Sequence, residues 1–412
     1  MRLLILSSSF PRNTNILSSS FSYEFCKNLL QKGSEVIVLA PHHSTSKFIE
    51  EIDGIKVYRF PYFVPFSAQK LAYNAGIAYN FKNSLFAKLQ LPFFLLSELI
   101  YSLKIIKQEK IDVVISFWLI PQGLIAAICN KILKIKHIAV IHSSEVTILK
   151  KLNFGTKITQ LIFNHSERIV SVSSHRAHEL LSILPPNVSE SASRKLHIIP
   201  MGIDPSKLIS NETTNDLKLK YELNDSFVVL FVGRLVEVKG CKYLINAFKD
   251  VVEEYSKAKL IVVGSGYMEE ELKELVAFHS LNEKVLFSGF VSSDLISDYY
   301  NLADIVVVPS IVDSSGFQEG FPVVVMESLV TGKPIIATKT NGIMEIIHDE
   351  YNGILVEQKN ENQISDKILK LIQNPDLRKK LSANALQDAK KYEWGVVASN
   401  YYKLLNEVYS YD

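Results

Sequence analysis

Near its C-terminal end the chain sets two glutamates eight positions apart, in Glu319-Gly-Phe-Pro-Val-Val-Val-Met-Glu327. The second lies in a run, Val323 to Val330, that is apolar except for Glu327 itself and Ser328. An ionised carboxylate in apolar surroundings costs on the order of several kcal/mol unless it is paired, metal-bound or met by a ligand. Cations stand upstream in Gly233-Arg-Leu-Val-Glu-Val-Lys239-Gly240. Arg234 can fork onto a phosphate, and Lys239 can add a mobile point charge. Gly233 allows a turn, Gly240 allows a backbone to approach a ligand, and the helix start that follows offers unpaired N–H groups to an anion. Two solvated surface cations are the competing reading of that pair. Pro322 suits the first turn of a helix and leaves Val323 and Val324 with free amides, a second anion-binding start. There Glu319 can equally act as a favourable charge at the helix dipole. His142, one of ten histidines, follows the apolar run His137–Ile141. It can hydrogen-bond a substrate hydroxyl, or steady a developing positive charge through its ring or its strand-end carbonyl; a structural role is the alternative.

These residues need elements to place them. Short apolar runs (Arg2–Leu6, Val36–Leu39, Asp112–Ser116, His137–Ile141, Arg168–Val172) alternate with helical patterns such as Ser20–Gln31. The second half repeats the scheme with strands Phe227–Val232, Lys259–Val263, Val285–Ser288, Ile305–Val308 and Pro334–Ala337, and helices Cys241–Val252, Met268–His279, Asp294–Leu302 and Pro322–Thr331. Continuous apolar strands separated by helices imply parallel strands buried on both faces. The expected fold is therefore α/β, with two doubly wound Rossmann-like sheets facing each other across a cleft and the site in the loops after the strands. Gly264-Ser-Gly266 lacks a third glycine and reads as a tight strand-to-helix turn rather than a dinucleotide fingerprint.

With 412 residues, 47% hydrophobic and 21% charged, the chain is globular and long enough for two domains. Its net charge of +2 hides an asymmetry. Residues 1–205 carry 23 Lys and Arg against 13 Asp and Glu, whereas residues 206–412 carry 22 against 30. The halves are thus expected to meet different partners. Three scattered cysteines without metal-ligand spacing suit a reducing compartment, and neither a disulfide nor a zinc site is expected. The first residues read as a strand rather than a signal segment, and the uncharged stretch Val113–Cys129 is broken by Pro121-Gln-Gly123 into strand, turn and helix.

Taken in order, the motifs His142-Ser-Ser-Glu145, Ile199-Pro-Met-Gly-Ile-Asp204, Gly233-Arg234 with Lys239-Gly240, Phe287-Ser-Gly-Phe290-Val291, Glu319 through Glu327, and Gly332-Lys-Pro-Ile-Ile-Ala337 resemble a family-4 (group 1) retaining glycosyltransferase of the GT-B fold. The resemblance runs through almost the whole chain. It implies an N-terminal acceptor-side domain over 1–200, a donor-binding domain over 201–393, and a last helix, 394–412, that packs back on the first domain. It further implies that Arg234 and Lys239, with Gly233, hold a nucleotide-sugar diphosphate, that Glu327 accepts the ribose hydroxyls, and that Phe290 and Val291 lie beside the base. Glu319, Phe321, Val323 and Val324 would contact the donor sugar and phosphate, with His142 facing the sugar from the other domain. Glu319 and His142 are the catalytic assignments.

The chain departs from the family pattern in the loop Pro11–Ser20, where relatives carry Gly-Gly, at Pro322, where a glycine is usual, and at Asn341-Gly342. Acceptor contacts in the first loop therefore do not transfer. The donor is expected to be a UDP- or GDP-sugar and the acceptor lipid-linked or a glycan, with no metal or other cofactor required and no nucleic acid bound. Residues 60–96 interleave aromatics with lysines, as suits peripheral contact with an anionic membrane from the cytoplasmic side; rings that simply cover the sheet are the alternative. The rival functions are a nucleotide-sugar epimerase of the same fold and a non-catalytic nucleotide-sugar binder.

Overall fold

The computed structural model describes residues 1–12, 20–73, 76–142, 144–209, 214–314 and 316–410. The chain forms two compact units, Met1–Gly202 with Trp394–Asp412, and Ile203–Glu393. The first holds an eight-stranded sheet built from β1 (Arg2–Leu6), β2 (Glu35–Pro41), β3 (Ile49–Ile52), β4 (Ile55–Phe60), β5 (Val113–Phe117), β6 (Lys136–Ile141), β7 (Arg168–Ser171) and β8 (Leu196–Ile198). Their order is β3-β4-β2-β1-β5-β6-β7-β8, and every pair is parallel except the hairpin β3–β4. The second sheet comprises β9 (Phe227–Val232), β10 (Ala258–Val263), β11 (Val285–Gly289), β12 (Ile305–Val308), β13 (Ile335–Thr338) and β14 (Ile354–Val356), all parallel in the order β11-β10-β9-β12-β13-β14.

Apolar side chains on both faces drive this arrangement. Leu3 to Leu6, Val229, Leu230 and Ile305 to Val307 are essentially inaccessible, as expected of parallel strands covered by helices on either side. In each unit the order reverses beside a central strand, between β1 and β5 in the first and between β9 and β12 in the second. Loops leaving the carboxyl ends at such a reversal diverge and open a crevice.

The helix Trp394–Ser410 packs in the first unit. Tyr401 meets Phe25 at 4.8 Å between ring centroids and Trp394 meets Phe21 at 5.4 Å, while Gly202 leaves the space that the Trp394 indole occupies. The hairpin β3–β4 and the 24-residue helix Leu85–Gln108 lie in a region where the alternation of short runs gives no element. The aromatic-lysine stretch 60–96 is only partly a surface. Phe60, Tyr62 and Phe94 are buried core rings, so the exposed apolar groups are a smaller set than the composition suggests. Cys26, Cys129 and Cys241 are free and buried.

Candidate functional site

In the second unit β9 and β12 are hydrogen-bonded neighbours, so the loops Gly233–Gly240 and 309–322 leave the sheet side by side. They are tied together. The Ile311 amide donates to the Val238 carbonyl at 2.8 Å, and the Ser314 hydroxyl donates to the Glu237 carboxylate at 3.0 Å. A Cβ on Gly240, whose φ is +65°, would sit 1.9 Å from the Pro309 carbonyl oxygen. The expectation that Gly240 admits a ligand is therefore corrected, because the space is taken by a neighbouring backbone. In the same way a Cβ on Gly264 would fall 1.9 Å from the Gly233 carbonyl oxygen, which accounts for the glycine in that turn without any nucleotide. Gly233 itself lies beside the methylenes of Lys239, 3.4 Å from where its own Cβ would be.

This framework brings Lys239 and Glu319 together. The ammonium lies 2.5 Å from Glu319 Oε1, with the two side chains only 13% and 16% exposed. The other oxygen, Oε2, accepts from the Ser310 hydroxyl at 2.8 Å. Lys239 is thus pinned rather than mobile, and Glu319 is held by two loops rather than acting simply as a helix-dipole charge. Half-buried Glu327 projects from the helix Val323–Val330 and accepts from the Tyr300 hydroxyl at 2.7 Å through Oε2. Burial raises its pKa, while the Tyr300 hydrogen bond and the Lys239 charge pull it back. The ammonium bonds Glu319, and at longer range its charge favours the ionised form of Glu327. The partner that the sequence leaves to a ligand is supplied in part by Tyr300.

Pro322 is the residue before the helix, in extended conformation, and its carbonyl accepts from Val325. Among the described residues the amides of Val323 and Val324 meet no acceptor, leaving two donors at the start of a helix whose dipole favours an anion. Arg234 is exposed and has no side-chain partner among the described residues. Phe290 is 80% exposed at the end of β11, beside the partly buried Val291. The Phe321 ring packs 5.9 Å from Tyr392. Among the described residues no three His, Cys, Asp or Glu side chains gather where a metal ion could be held.

His142 belongs to the first unit. Its amide donates to Glu145 Oε1 at 2.6 Å, which fixes the strand end. Its ring is boxed by Phe21 at 4.7 Å, Trp118 at 5.2 Å and Phe117 at 5.5 Å, and Nε2 is buried with no partner among the described residues. Burial pushes its pKa down to about 3, so the ring is neutral near pH 7. Ser143 and Ser315 lie outside the described residues, as do residues 13–19 of the loop Pro11–Ser20. Ser310 and Tyr300 are the site residues that sequence reasoning missed. A hydroxyl partner joined only through the fold leaves no local signature.

Residues 19–207 match the model of Glycosyltransferase Family 4, and residues 214–388 that of Glycosyl transferases group 1. The uncharacterized glycosyltransferase MJ1178 of Methanocaldococcus jannaschii is 31% identical over 290 residues, 70% of this chain and 74% of that protein. The chain is a group 1 glycosyltransferase. The amylovoran biosynthesis glycosyltransferase AmsK of Erwinia amylovora is 27% identical over 261 residues, 62% of this chain and 61% of that one. Anabaena HepE, solved in complex with UDP, superposes with a TM-score of 0.73 at 17% identity, covering 99% of this chain and 100% of that chain. The glycosyltransferase thus has the two-domain GT-B fold, with Lys239, Glu319 and Glu327 grouped at the switch point of its second sheet.

Proposed function

We propose that the protein is a retaining glycosyltransferase that moves a hexose from a UDP- or GDP-sugar to a lipid-linked or glycan acceptor in surface polysaccharide or glycoconjugate assembly. The observation that carries this reading is the Lys239–Glu319 ion pair held across two loops, beside two helix amides that meet no acceptor among the described residues and the Tyr300-bound Glu327 of the same helix. Such a group suits a ligand that carries both hydroxyls and a diphosphate. Arg234, Lys239 and the amides of Val323 and Val324 bind the diphosphate, the uncommitted Oε1 of Glu327 takes a ribose hydroxyl, and Phe290 with Val291 flanks the base. Glu319 and Phe321 contact the donor sugar. His142 contributes a neutral ring and a fixed strand-end carbonyl. The AmsK likeness supports a polysaccharide product, and the UDP held by HepE supports a nucleotide donor.

In the reaction the bond from the anomeric carbon to the diphosphate oxygen breaks, and its electron pair leaves with the diphosphate. The acceptor hydroxyl oxygen bonds to the same face of that carbon, and its proton passes to a leaving phosphate oxygen. Fixed cations and N–H groups aimed at the departing charge supply several kcal/mol, on the order of 3–4 per well-placed donor. Glu319 orients hydroxyls, and the reaction takes no cofactor and needs no metal. The enzyme works on the cytoplasmic side, at the inner face of the membrane.

A thermal-shift screen of nucleotide sugars tests the reading, since a ligand of the native state raises the melting temperature. One donor is expected to stabilise the protein, and Arg234→Ala is expected to weaken that donor about 100-fold. No shift with any nucleotide sugar overturns the proposal. Conversion of the donor to its epimer without acceptor identifies an isomerase instead, and binding without turnover identifies a silent binder. A glycosyl adduct trapped on Glu319 refutes the assignment of the proton to the leaving phosphate.

A further inference from the structure

The helix Leu85–Gln108 exposes an apolar stripe and buries polar side chains among its core residues. Leu85, Leu89, Phe93, Leu96 and Ile100 are between 54% and 77% exposed, while Gln90, Glu98 and Ser102 on the opposite side are fully buried. At 100° per residue the five exposed apolar groups fall within an arc of about 80° on a rod about 36 Å long. A helix facing water carries the opposite pattern. The inward polar groups tie down neighbouring chain. Gln90 accepts from the Lys70 and Leu71 amides at 2.9 and 3.2 Å and donates to the Ala68 carbonyl, and Glu98 accepts from Gln122 at 3.2 Å. The helix is therefore fixed to the unit along its buried side, and its apolar stripe stays largely open to solvent, with the Phe63 ring 6.0 Å from Phe93 at its edge.

Charge selects what covers that face. From residue 61 to 108 the chain has one acidic residue, the buried Glu98, and five lysines. Lys82, Lys88, Lys104 and Lys107 are exposed, near the two ends of the stripe, and none has a carboxylate partner among the described residues. Two copies meeting through this face would set like charges together, whereas an anionic lipid surface supplies the counter-charge. We propose that this helix lies in the plane of an anionic bilayer, with Leu85, Leu89, Phe93, Leu96 and Ile100 in the acyl boundary and the lysines on lipid phosphates. It is long and apolar enough to cross a membrane by length and composition alone. However, its Ala87, Phe94, Ile105 and Ile106 side chains belong to the core, so it lies on the surface instead. The inference rests on the glycosyltransferase reading only for its purpose, which is to bring a lipid-linked acceptor to the enzyme.

Co-sedimentation of the full chain with phosphatidylcholine vesicles, with and without phosphatidylglycerol, tests this at low salt. Wild type is expected to bind the mixed vesicles, and the double variant Leu89→Glu with Leu96→Glu to bind them about tenfold or more weakly. A second variant, Lys88→Glu with Lys104→Glu and Lys107→Glu, should lose the preference for phosphatidylglycerol. Because all five positions are exposed, both variants are expected to keep the wild-type melting temperature and its shift with donor. Absence of wild-type binding, or equal binding by the Leu89/Leu96 variant at unchanged melting temperature, overturns the proposal. A dimer of wild type that this variant dissociates, with no vesicle binding, overturns it in favour of a second copy. Vesicle binding without any nucleotide-sugar shift sustains this inference while refuting the donor reading.

Discussion

The two units treat polar groups near their sheets in opposite ways. In the second, Lys239 and Glu319 stay paired at 2.5 Å, and Glu327 is held by Tyr300 and eased by the same ammonium. In the first, burial removes the charge. It depresses His142 to a pKa of about 3 and His137 to about 4, and pushes Glu98 up to about 8. Charge is retained where two loops can hold both partners, and is suppressed where the group meets rings or neutral polar groups with no opposite charge. Exceptions are instructive: in the first unit buried Arg59 has Glu50 at 2.7 Å to pair with, and buried Arg176 pairs with Glu179. A preserved ion pair beside free helix amides suits a charged ligand. A neutral imidazole suits an uncharged one, such as a sugar.

The sharpest way to break this contrast is to remove the retained charge. Lys239→Ala should lower kcat about 1000-fold, since in the proposed reaction it deletes a cation that meets the leaving diphosphate, and it leaves Glu319 without its ammonium. Combined with Glu319→Ala in a double-mutant cycle read by chemical denaturation, the pair should show a coupling of about 1–3 kcal/mol. Lys239→Met with near wild-type kcat would mean that the preserved charge does not drive the chemistry.

A smaller effect is expected at Tyr300. Tyr300→Phe removes a hydrogen bond that lowers the Glu327 pKa, so the carboxyl shifts further toward its neutral form. Donor affinity should fall about tenfold, and the deficit should widen as pH falls, because a protonated carboxyl is the poorer acceptor. Titrations of donor binding across pH check the slope.

The smallest effect concerns the suppressed charge. Burial raises Glu98, with Gln122 opposing, so between about pH 4.5 and 8 the folded state keeps a proton that the unfolded state releases. Its contribution is complete below the unfolded value and is lost as pH rises through 8. His142 and His137 act in the other direction, destabilising the fold as pH drops below 6.5. Above pH 6.5 Glu98 dominates this group of three. Glu98→Gln should therefore gain about 1–3 kcal/mol relative to wild type between pH 6.5 and 8.5, read from melting curves.

Much of this was legible in the residues, for reasons that also explain what was not. Strands such as Phe227–Val232 and Ile305–Val308 announce themselves as continuous apolar runs, and their alternation with helices specifies two parallel sheets. The carboxylates stand out because Glu327 interrupts an apolar helix. Their partners do not, since Ser310 meets Glu319 only when the loop after β12 folds back on itself, and Tyr300 meets Glu327 only when the helices before and after β12 pack together. The helix Leu85–Gln108 escapes pattern reading because apolar residues stand on its buried side (Ala87, Phe94, Ile105, Ile106) and on its exposed side (Leu85, Leu89, Phe93) alike, so no single apolar face stands out. Gly240 misleads in a different way, because close approach of a backbone looks the same in sequence whether the guest is a ligand or Pro309.

The bare backbone at Gly240 and Gly264 governs more than local packing. With the Pro309 carbonyl against one and the Gly233 carbonyl against the other, the segments that follow β9, β10 and β12 pack backbone to backbone, and a Cβ at either glycine would fall 1.9 Å from a carbonyl oxygen. No side chain can be wedged between them, and none can be withdrawn to loosen them. For the diphosphate proposed at Arg234 and Lys239, these loops are already packed together, so the free energy of binding need not be spent on joining them.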